Sequence, residues 1–432
     1  MSTRLAYSER CTRGTSAERT ATSVAVISSL FPRPSAPLAG IFIYERMRRV
    51  GARLPVTVLS PTPYFPGQWV LRLLDRNYRP PTPRRWRNGD TEISYPRFLA
   101  FPGLLRGMDA RSIALCLFPH VRRLKENGGA DVLDAHFAYP DGVAAALLAD
   151  WLNLPYTITL RGSEPRLAQE PGHREQIGTA MRNATRVFTV SESLRRFAIE
   201  LGAAESRTRT VPNGVDLDCF QPLDRARSRR SLGLPENGKV LITVGGLVER
   251  KGQHRVIDVL PELLTDFPDI HYVLVGGGSG EGDWTGRLEG LAREKGVSDR
   301  VHFLGQLQPE QLALPLSASD VFVLSSRNEG WANVLLEAMA CGIPVVTTDV
   351  GGSREVVRNE DIGIVIPFDD RDALLAALRR ALLASWDREA ILAYARANTW
   401  DDRIQTLIDE FTTLASRNRG TATRELLRGD DA

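Results

Sequence analysis

Apolar and polar positions alternate in two distinct ways along the chain. Short runs rich in Val, Ile and Leu are separated by longer stretches in which apolar residues recur every three or four positions. The short runs are typical of strands buried on both faces of a parallel sheet, and the longer stretches are typical of amphipathic helices. In the first half, strands are predicted at 24–29, 56–59, 132–135, 156–160, 187–190 and 208–211. The alternation predicts repeated βαβ units and an α/β fold.

The same alternation starts again in the second half of the chain. Strands are predicted there at 240–244, 272–275, 301–304, 321–324, 344–347 and 364–366. Turn-forming residues lie between the halves, at Pro212, Asn213, Gly214 and Pro222. A polar, arginine-rich stretch follows at 224–238, as is typical of a segment that joins domains. We therefore predict an N-terminal domain at 22–215 and a C-terminal domain at 216–398.

The two ends of the chain carry different patterns. Residues 1–21 are polar and arginine-rich without an apolar core, which predicts a disordered tail. Residues 399–420 have helical period, which predicts a final helix that packs back on the N-terminal domain.

Composition narrows the class of protein only slightly. With 43% hydrophobic and 25% charged residues it is that of an ordinary globular protein, and a net charge of +3 does not indicate a nucleic-acid partner. The cysteines, Cys11, Cys116, Cys219 and Cys341, lack C-x-x-C spacing, so we expect neither a zinc site nor a disulfide framework, and a cytoplasmic location. No run reaches the roughly 18 apolar residues of a membrane span.

Charge is uneven in residues 64–88, where six arginines stand against one aspartate. Apolar residues are interleaved with them, at Trp69, Leu71, Leu73, Leu74 and Trp86. Basic and aromatic residues in this mixture suit an anionic membrane surface, which predicts peripheral contact with the inner face of the membrane. The alternative interpretation is a surface loop with a helical turn packed on its own domain.

The segment richest in candidate chemistry follows the strand at 321–324 and reads "SSRNEGWANVLLEAMACGIPVV". Ligands of parallel sheets bind beyond the carboxyl ends of the strands. Asn333 is predicted to cap the next helix, which places Glu337 one turn inside it and Glu329 in the loop before it. Free backbone N–H groups at such a helix start suit a phosphate, and the two carboxylates can bind hydroxyls.

In this segment the chain resembles the retaining glycosyltransferases of family four, which have the GT-B fold of two Rossmann-like domains facing across a cleft. The resemblance rests on Glu329 and Glu337, with seven residues between them, the second opening "EAMACGIPVV". It implies a nucleotide diphosphate sugar as co-substrate, a saccharide or lipid-linked acceptor, and neither cofactor nor metal. It further implies that Glu337 binds the ribose, that Glu329 contacts the transferred sugar, and that Gly330, Asn333 and Val334 contact the donor.

A second loop, "VGGLVERKG", follows the strand at 240–244. Lys251 in this loop is expected to stabilise the charge that develops on a departing diphosphate, although a basic turn in solvent is the alternative. The family pattern has an arginine five residues before this lysine, where this chain has Gly246. Either Arg250 or another arginine supplies the second cation, or the diphosphate is held with one fewer. Gly246 and Arg250 are both candidate donor contacts.

Two further loops of the second half are candidate donor contacts. The glycines of "VGGGSGEG" (275–282) lack the spacing of a dinucleotide site, so we expect them to pack around the donor. The loop after Phe303 occupies the place where the family contacts the base, which makes Gly305 and Leu307 candidate base contacts.

Three loops of the first half are expected to converge on the cleft. Gly40 resembles the family's glycine at the start of the first helix, and His136 matches its active-site histidine beside the donor sugar. A lone histidine is otherwise commonly structural. Arg161 and Glu164 in "TLRGSE" are candidates to line the cleft, or else form a surface salt bridge.

Asp216 and Asp218 formally match a D-x-D metal motif, but their place between the domains favours a structural role. The predicted function is retaining transfer of a sugar from a nucleotide diphosphate sugar, with catalytic roles for His136, Lys251 and Glu329. The alternatives are a GT-B-type nucleotide-sugar epimerase and a catalytically inactive binding protein of a glycan pathway.

Overall fold

The computed structural model describes residues 21–74, 79–100 and 106–429. The strands of its first half are β1 (Val24–Ile27), β2 (Val56–Leu59), β3 (Thr62–Tyr64), β4 (Arg85–Asn88), β5 (Thr91–Ser94), β6 (Arg97–Leu99), β7 (Val132–His136), β8 (Tyr156–Leu160), β9 (Arg186–Thr189) and β10 (Thr208–Thr210). The helices between them are α1 (Ile41–Gly51), α2 (Gln68–Leu74), α3 (Asp109–Glu126), α4 (Val143–Leu152), α5 (Glu164–Leu167), α6 (Pro171–Asn183) and α7 (Glu192–Glu200).

The second half repeats this alternation. Its strands are β11 (Lys239–Val244), β12 (Ile270–Val275), β13 (Val301–Gly305), β14 (Val321–Leu324), β15 (Val345–Thr348) and β16 (Gly363–Ile366). Its helices are α8 (Arg225–Leu232), α9 (Gln253–Asp266), α10 (Thr285–Glu294), α11 (Pro309–Ser317), α12 (Asn333–Ala340), α13 (Ser353–Val356), α14 (Arg371–Leu383), α15 (Arg388–Arg396) and α16 (Asp401–Gly429).

Two sheets organise the molecule. The first has the strand order β10-β9-β8-β7-β1-β2-β5-β4 and is parallel except at the β4–β5 pair. The second has the order β13-β12-β11-β14-β15-β16 and is parallel throughout. Central strands such as β1 and β14 are buried along their whole length, as the continuous apolar runs predict. The fold is GT-B, with two Rossmann-like domains facing across a cleft, which confirms the predicted fold class.

The order of each sheet locates where a ligand can bind. In the first sheet the chain changes direction between β1 and β7, and in the second sheet between β11 and β14. A crevice opens at the carboxyl ends of strands at such a switch point. The loops after these four strands therefore lie at the two crevices, and they carry most of the predicted site residues.

The sequence predictions missed four strands and misplaced the ends of some others. Strand β1 ends two residues earlier than predicted, because Ser29 donates its N–H and hydroxyl to Asp141 instead of a neighbouring strand. The strands between residues 62 and 99 were not predicted, since they are short and carry many charges. Asn88-Gly89, at the turn of the β4–β5 hairpin, was the available signal.

The final helix, α16, crosses back to the first sheet. Its apolar face lies in one buried cluster with β1 and β7, through Ile404, Leu407, Phe411, Leu414 and Ala415. The predicted disordered tail lies outside the described residues, apart from residue 21. Within the described part of the chain, no helix combines the length and the apolar character needed to cross a membrane.

Candidate active site

Lys251 and Glu329 meet where the second sheet changes direction. Lys251 ends a single helical turn, Glu249–Lys251, in the loop after β11, and its Nζ lies 2.7 Å from Glu329 Oε1 in the loop after β14. Ser326 Oγ donates to the same carboxylate oxygen at 2.7 Å. Burial opposes the charge of Glu329, but Lys251 and Arg250 outweigh it and hold the pKa of this carboxyl below its ordinary value. Glu329 is therefore ionised and holds Lys251 at the end of the sheet.

Arg250 reaches the same place from the other side. Its Nη1 lies 3.7 Å from Glu329 Oε1 and donates to the carbonyl of Asn328 at 2.9 Å. Its Nε donates to Glu281 at 2.9 Å, in the glycine-rich loop after β12. Two cations thus converge on one buried carboxylate, so Lys251 is not part of a simple basic turn in solvent.

Gly246 lies beside this cluster and has room for a side chain. A Cβ atom there would come no closer than 3.7 Å to Ser279, which is ordinary van der Waals contact. By contrast, Gly252 at the end of the loop adopts φ +76°, and its Cβ would lie 2.1 Å from the Ser325 carbonyl. The loop therefore requires glycine at 252 but not at 246.

The start of α12 differs from the prediction in one respect. Asn333 is the first helical residue and Ala332 occupies the cap position, so Asn333 is not the helix cap. Its side chain instead accepts a hydrogen bond from Asn213 Nδ2 at 3.0 Å, and this distant partner prevents it from capping its own helix. The backbone N–H of Val334 has no hydrogen-bond partner among the described residues. One donor at this helix start is therefore free to bind an anion.

Glu337 lies half-buried one turn into α12. Burial, together with the nearby charge of Glu45, raises the pKa of its carboxyl to about 7. Its carboxylate makes no hydrogen bond or ion pair to any residue that the structure describes. Glu337 is thus available to accept hydroxyl donors from a ligand.

His136, at the end of β7, is fully buried. Its Nδ1 lies 2.9 Å from Arg161 Nη2, and because a guanidinium can only donate, Nδ1 is the acceptor and the neutral ring carries its proton on Nε2. Nε2 faces Asp134 Oδ2 at 3.4 Å. Burial and the charges of Arg161 and Arg46 hold the pKa of His136 well below its ordinary value. The ring is therefore neutral and fully buried, and its Nε2 makes no hydrogen bond within the described part of the chain.

Arg161 and Glu164 do not form a surface salt bridge, because both side chains are buried. Glu164 accepts backbone N–H groups of Gly162 at 2.8 Å, of Arg161 at 3.2 Å and of Ala138 at 3.3 Å. The Arg161 guanidinium lies 5.5 Å from the ring centre of Phe42. Glu164 therefore shapes the loop after β8, while Arg161 extends toward His136.

Asn213 is a site residue that the sequence interpretation treated only as part of a turn. Its Oδ1 accepts from Arg161 Nη1 and from Arg46 Nη2, each at 3.0 Å, while its Nδ2 donates to Asn333. Arg46, which was also missed, is almost fully buried. These partners are 52 to 167 positions away in sequence, so no local pattern indicates them.

The two domains touch directly beside Glu329. A Cβ atom on Gly330 would lie 1.9 Å from the carbonyl of Arg161, and Asn328 Nδ2 donates to the Gly162 carbonyl at 3.3 Å. Only glycine at 330 permits this approach of the two backbones.

The remaining predicted residues lie at strand ends around the cleft. Gly40 precedes α1 with φ +66°, and its Cβ would lie 2.4 Å from the Leu30 carbonyl. Gly305 and Leu307 lie at the carboxyl end of β13, two strands from β11. The Asp216 carboxylate pairs with Arg48 at 3.0 Å and with Arg49. Among the described residues no group of three His, Cys, Asp or Glu side chains is placed to hold a metal.

Comparisons with known proteins agree with this architecture. Residues 224–398 match the family Glycosyl transferases group 1, and residues 73–219 match Glycosyltransferase Family 4. A D-inositol 3-phosphate glycosyltransferase from Acidothermus cellulolyticus is 31% identical over 74% of this chain and 76% of its own. TuaC of Bacillus subtilis, named as a teichuronic acid biosynthesis glycosyltransferase, is 31% identical over 82% of this chain and 87% of its own.

Solved structures show the same fold. Sucrose-phosphate synthase from Thermosynechococcus elongatus superposes with a TM-score of 0.71 at 22% identity, over 94% of this chain and all of its own. Anabaena HepE in complex with UDP superposes with a TM-score of 0.67 at 20% identity, over 90% of this chain and all of its own.

Proposed function

The chain belongs to the group 1 and family 4 glycosyltransferases, and on that premise we propose that it transfers a sugar from a nucleotide diphosphate sugar with retention of configuration and without a metal ion. Glycosyltransferase activity of the GT-B type on nucleotide sugars follows from the family membership. The observation that carries the finer proposal is the convergence of Lys251 and Arg250 on Glu329, beside the free N–H of Val334.

The donor diphosphate would lie across the start of α12. There the Val334 N–H and the positive end of the helix dipole favour an anion, and Lys251 can turn from Glu329 to a phosphate oxygen. Glu337 has an unpaired carboxylate one turn further on, which suits the hydroxyls of the ribose. Glu329, released from Lys251, would then orient the transferred sugar.

Transfer in this scheme needs no protein nucleophile. The bond between the sugar's anomeric carbon and the diphosphate oxygen breaks, and the acceptor oxygen forms its bond on the same face. The acceptor proton passes to the departing phosphate oxygen. Lys251 and Arg250 would stabilise the charge that develops there, the place where preorganised cations have their largest effect.

Arg250 is proposed as the second cation of this site. Its guanidinium already lies 3.7 Å from Glu329, and Glu281 fixes its orientation. Arg250→Ala should lower turnover about 10-fold or more. Because Gly246 has room for a side chain, adding Gly246→Arg to that variant should recover part of the loss. Wild-type turnover by Arg250→Ala would disprove the assignment, and Gly246→Arg alone is the control for crowding.

The acceptor would bind the first domain across the cleft. The neutral, fully buried ring of His136 lies between Arg161 and Asp134, which does not favour the predicted direct contact with the donor sugar. We therefore assign His136 a positioning role at the end of β7.

Exposed apolar side chains support membrane contact through residues 64–88. Trp69 and Leu73 lie one turn apart on α2 and are 66% and 75% exposed. Exposed apolar side chains in an arginine-rich stretch of sequence fit the inner face of an anionic membrane, where a lipid-linked acceptor would be presented. Trp69→Ser combined with Leu73→Ser should weaken sedimentation with vesicles containing anionic lipid, while Leu383→Ser, an equally exposed leucine on α14, should not.

A thermal-shift screen tests which nucleotide sugar binds as the donor. UDP-, GDP-, ADP- and dTDP-sugars should be compared, because a bound donor raises the unfolding temperature by mass action. UDP-sugars come first, since HepE binds UDP on the same fold. The donor that stabilises the wild type should not stabilise Glu337→Ala. The wild type should also hydrolyse or transfer this donor faster than Glu337→Ala does. A donor bound but never turned over would indicate an inactive binding protein, and turnover to an isomer without acceptor would indicate an epimerase.

A further inference from the structure

Glu355 joins the two domains at a point that the proposed transfer does not use. It lies on α13 of the second domain, in the segment "VGGSREVV" that follows β15. Its Oε2 accepts the backbone N–H of Glu192 at 2.6 Å, and its Oε1 accepts that of Ser193 at 2.9 Å. Both donors belong to the first turn of α7 in the first domain.

The N-terminus of α7 is completed only when this contact exists. Ser191 caps the helix from within the first domain, and its Oγ accepts the N–H of Leu194. The N–H groups of Glu192 and Ser193 are left without an intrahelical partner, as in the first turn of any α-helix. The Glu192 side chain cannot take them, because its carboxylate is held by Arg195 and Thr210. A carboxylate from the other domain therefore satisfies two amide donors at the positive end of the helix dipole.

This contact lies next to the candidate active site. A Cβ atom on Gly352 would lie 2.6 Å from the Gly330 carbonyl and 2.9 Å from Ser191 Cβ. One on Gly351 would lie 1.6 Å from the Glu329 carbonyl. The segment that carries Glu355 therefore packs against α7 on one side and against Glu329-Gly330 on the other.

The chain passes between the domains at two adjacent segments. The two crossings between domains run side by side, with Val215 paired to Thr399 and a Gly214 Cβ placed 2.5 Å from the Thr399 carbonyl carbon. Adjacent crossings form a hinge, so the rest of the interface between the domains depends on non-covalent contacts.

We propose that Glu355 is a positioning residue that holds the first domain closed against the Glu329-Gly330 segment by capping α7. Opening of the cleft breaks both hydrogen bonds and returns two N–H groups to water. The consequence for sugar transfer rests on the proposed function, since closure would shield the donor site from water. The clasp itself is a property of the ligand-free protein.

Hydrogen exchange and small-angle scattering on the ligand-free protein test the clasp. In Glu355→Ala, the amides of Glu192 and Ser193 should exchange about 10-fold faster than in the wild type, and the radius of gyration should increase. Glu355→Gln, which keeps one acceptor without the charge, should lie between the two. Arg354→Ala is the matched control, because the neighbouring Arg354 pairs, within the described part of the chain, with Asp349 of its own domain alone.

A second control separates the clasp from the stability of α7. Ser191→Ala removes the helix's own cap and should speed exchange at Leu194 without changing the radius of gyration. Expansion of Ser191→Ala equal to that of Glu355→Ala would overturn the proposal, as would faster exchange in Glu355→Ala with an unchanged radius. Wild-type values for Glu355→Ala in both measurements would overturn it as well. None of these results depends on which sugar the protein transfers.

Discussion

Both sheets carry charged residues at the carboxyl ends of their strands. These residues are buried in the first domain, whereas the cations of the second domain are partly exposed. In the first domain, His136, Arg161 and Glu164 are buried and each is bound by other protein groups. In the second domain, Lys251 and Arg250 lie at the rim and share one carboxylate, Glu329. Buried groups that bind one another form a scaffold, whereas Lys251, a cation held by a single carboxylate, can be transferred to an incoming anion. This difference indicates that the first site holds its loops rigidly in place, whereas Lys251 in the second site can exchange its carboxylate partner for a ligand.

The largest effect should follow from removing Lys251, the cation closest to Glu329 in the second site. Lys251→Ala is expected to lower turnover of the donor found by thermal shift by about 10² to 10³-fold, because the departing diphosphate loses its nearest charge. Cooperative unfolding should be retained, since Lys251 lies at the rim. Arg327→Ala, an exposed arginine in the loop after β14, is the control. Near-normal transfer by Lys251→Ala would defeat the assignment of roles to the two sites.

The corresponding change in the first site should act on stability. Arg161→Ala leaves the buried Nδ1 of His136 without its donor, which should lower the free energy of unfolding by about 1 to 3 kcal/mol. Urea denaturation measures this loss, with exposed Arg166→Ala as the control. An unchanged denaturation midpoint would show that the buried network is not a scaffold.

The pKa of Glu337 gives a pH-dependent test of the second site. The pKa is about 7 in the folded protein and 4.5 ordinarily, so the folded state binds more protons between these values. Stability therefore falls as pH rises through this window and is level above it. Glu337→Gln cannot titrate, so its unfolding free energy relative to the wild type should rise from about pH 4.5 to about pH 7. If the difference in unfolding free energy between Glu337→Gln and the wild type were constant with pH, it would contradict burial of the Glu337 carboxyl.

The smallest effect should come from Gly246. Gly246→Ala is expected to change the unfolding free energy by no more than about 0.5 kcal/mol, because its Cβ meets only ordinary contacts. Gly330→Ala is the contrasting variant, since its Cβ would lie 1.9 Å from the carbonyl of Arg161 in the other domain. Thermal unfolding and turnover of both variants would show which glycine the contact between domains requires. Equal losses would mean that the close approach at Gly330 relaxes freely.

Local patterns in the sequence predicted the central strands of both sheets and the final helix. Continuous apolar runs indicated the central strands, such as β1 and β14. The same kind of reasoning misplaced Asn333, because a residue of the right type at a helix start can be bound by a partner far away. The charged β4–β5 hairpin was missed because its strands lack an apolar run.

In the candidate site too, some features could be predicted from the sequence and others could not. The positions of Lys251, Glu329 and Glu337 at strand and helix ends were predictable, whereas their pairing was not. That Lys251 binds Glu329, and that Arg161 binds His136 and Asn213, depends on which loops the strand order brings together.

Sequence alone was sufficient to determine the α/β class, the glutamate pair Glu329 and Glu337 at the start of α12 and the family to which the chain belongs, because these depend on periodicity and on short motifs. Only the tertiary structure decided that His136 is neutral and enclosed, that Asn213 links the domains, and that Glu355 caps a helix of the other domain. The physical reason is that hydrogen bonding, burial and pKa depend on neighbours in space. For these residues the neighbours lie on other strands and helices, and their spacing along the chain carries no signal.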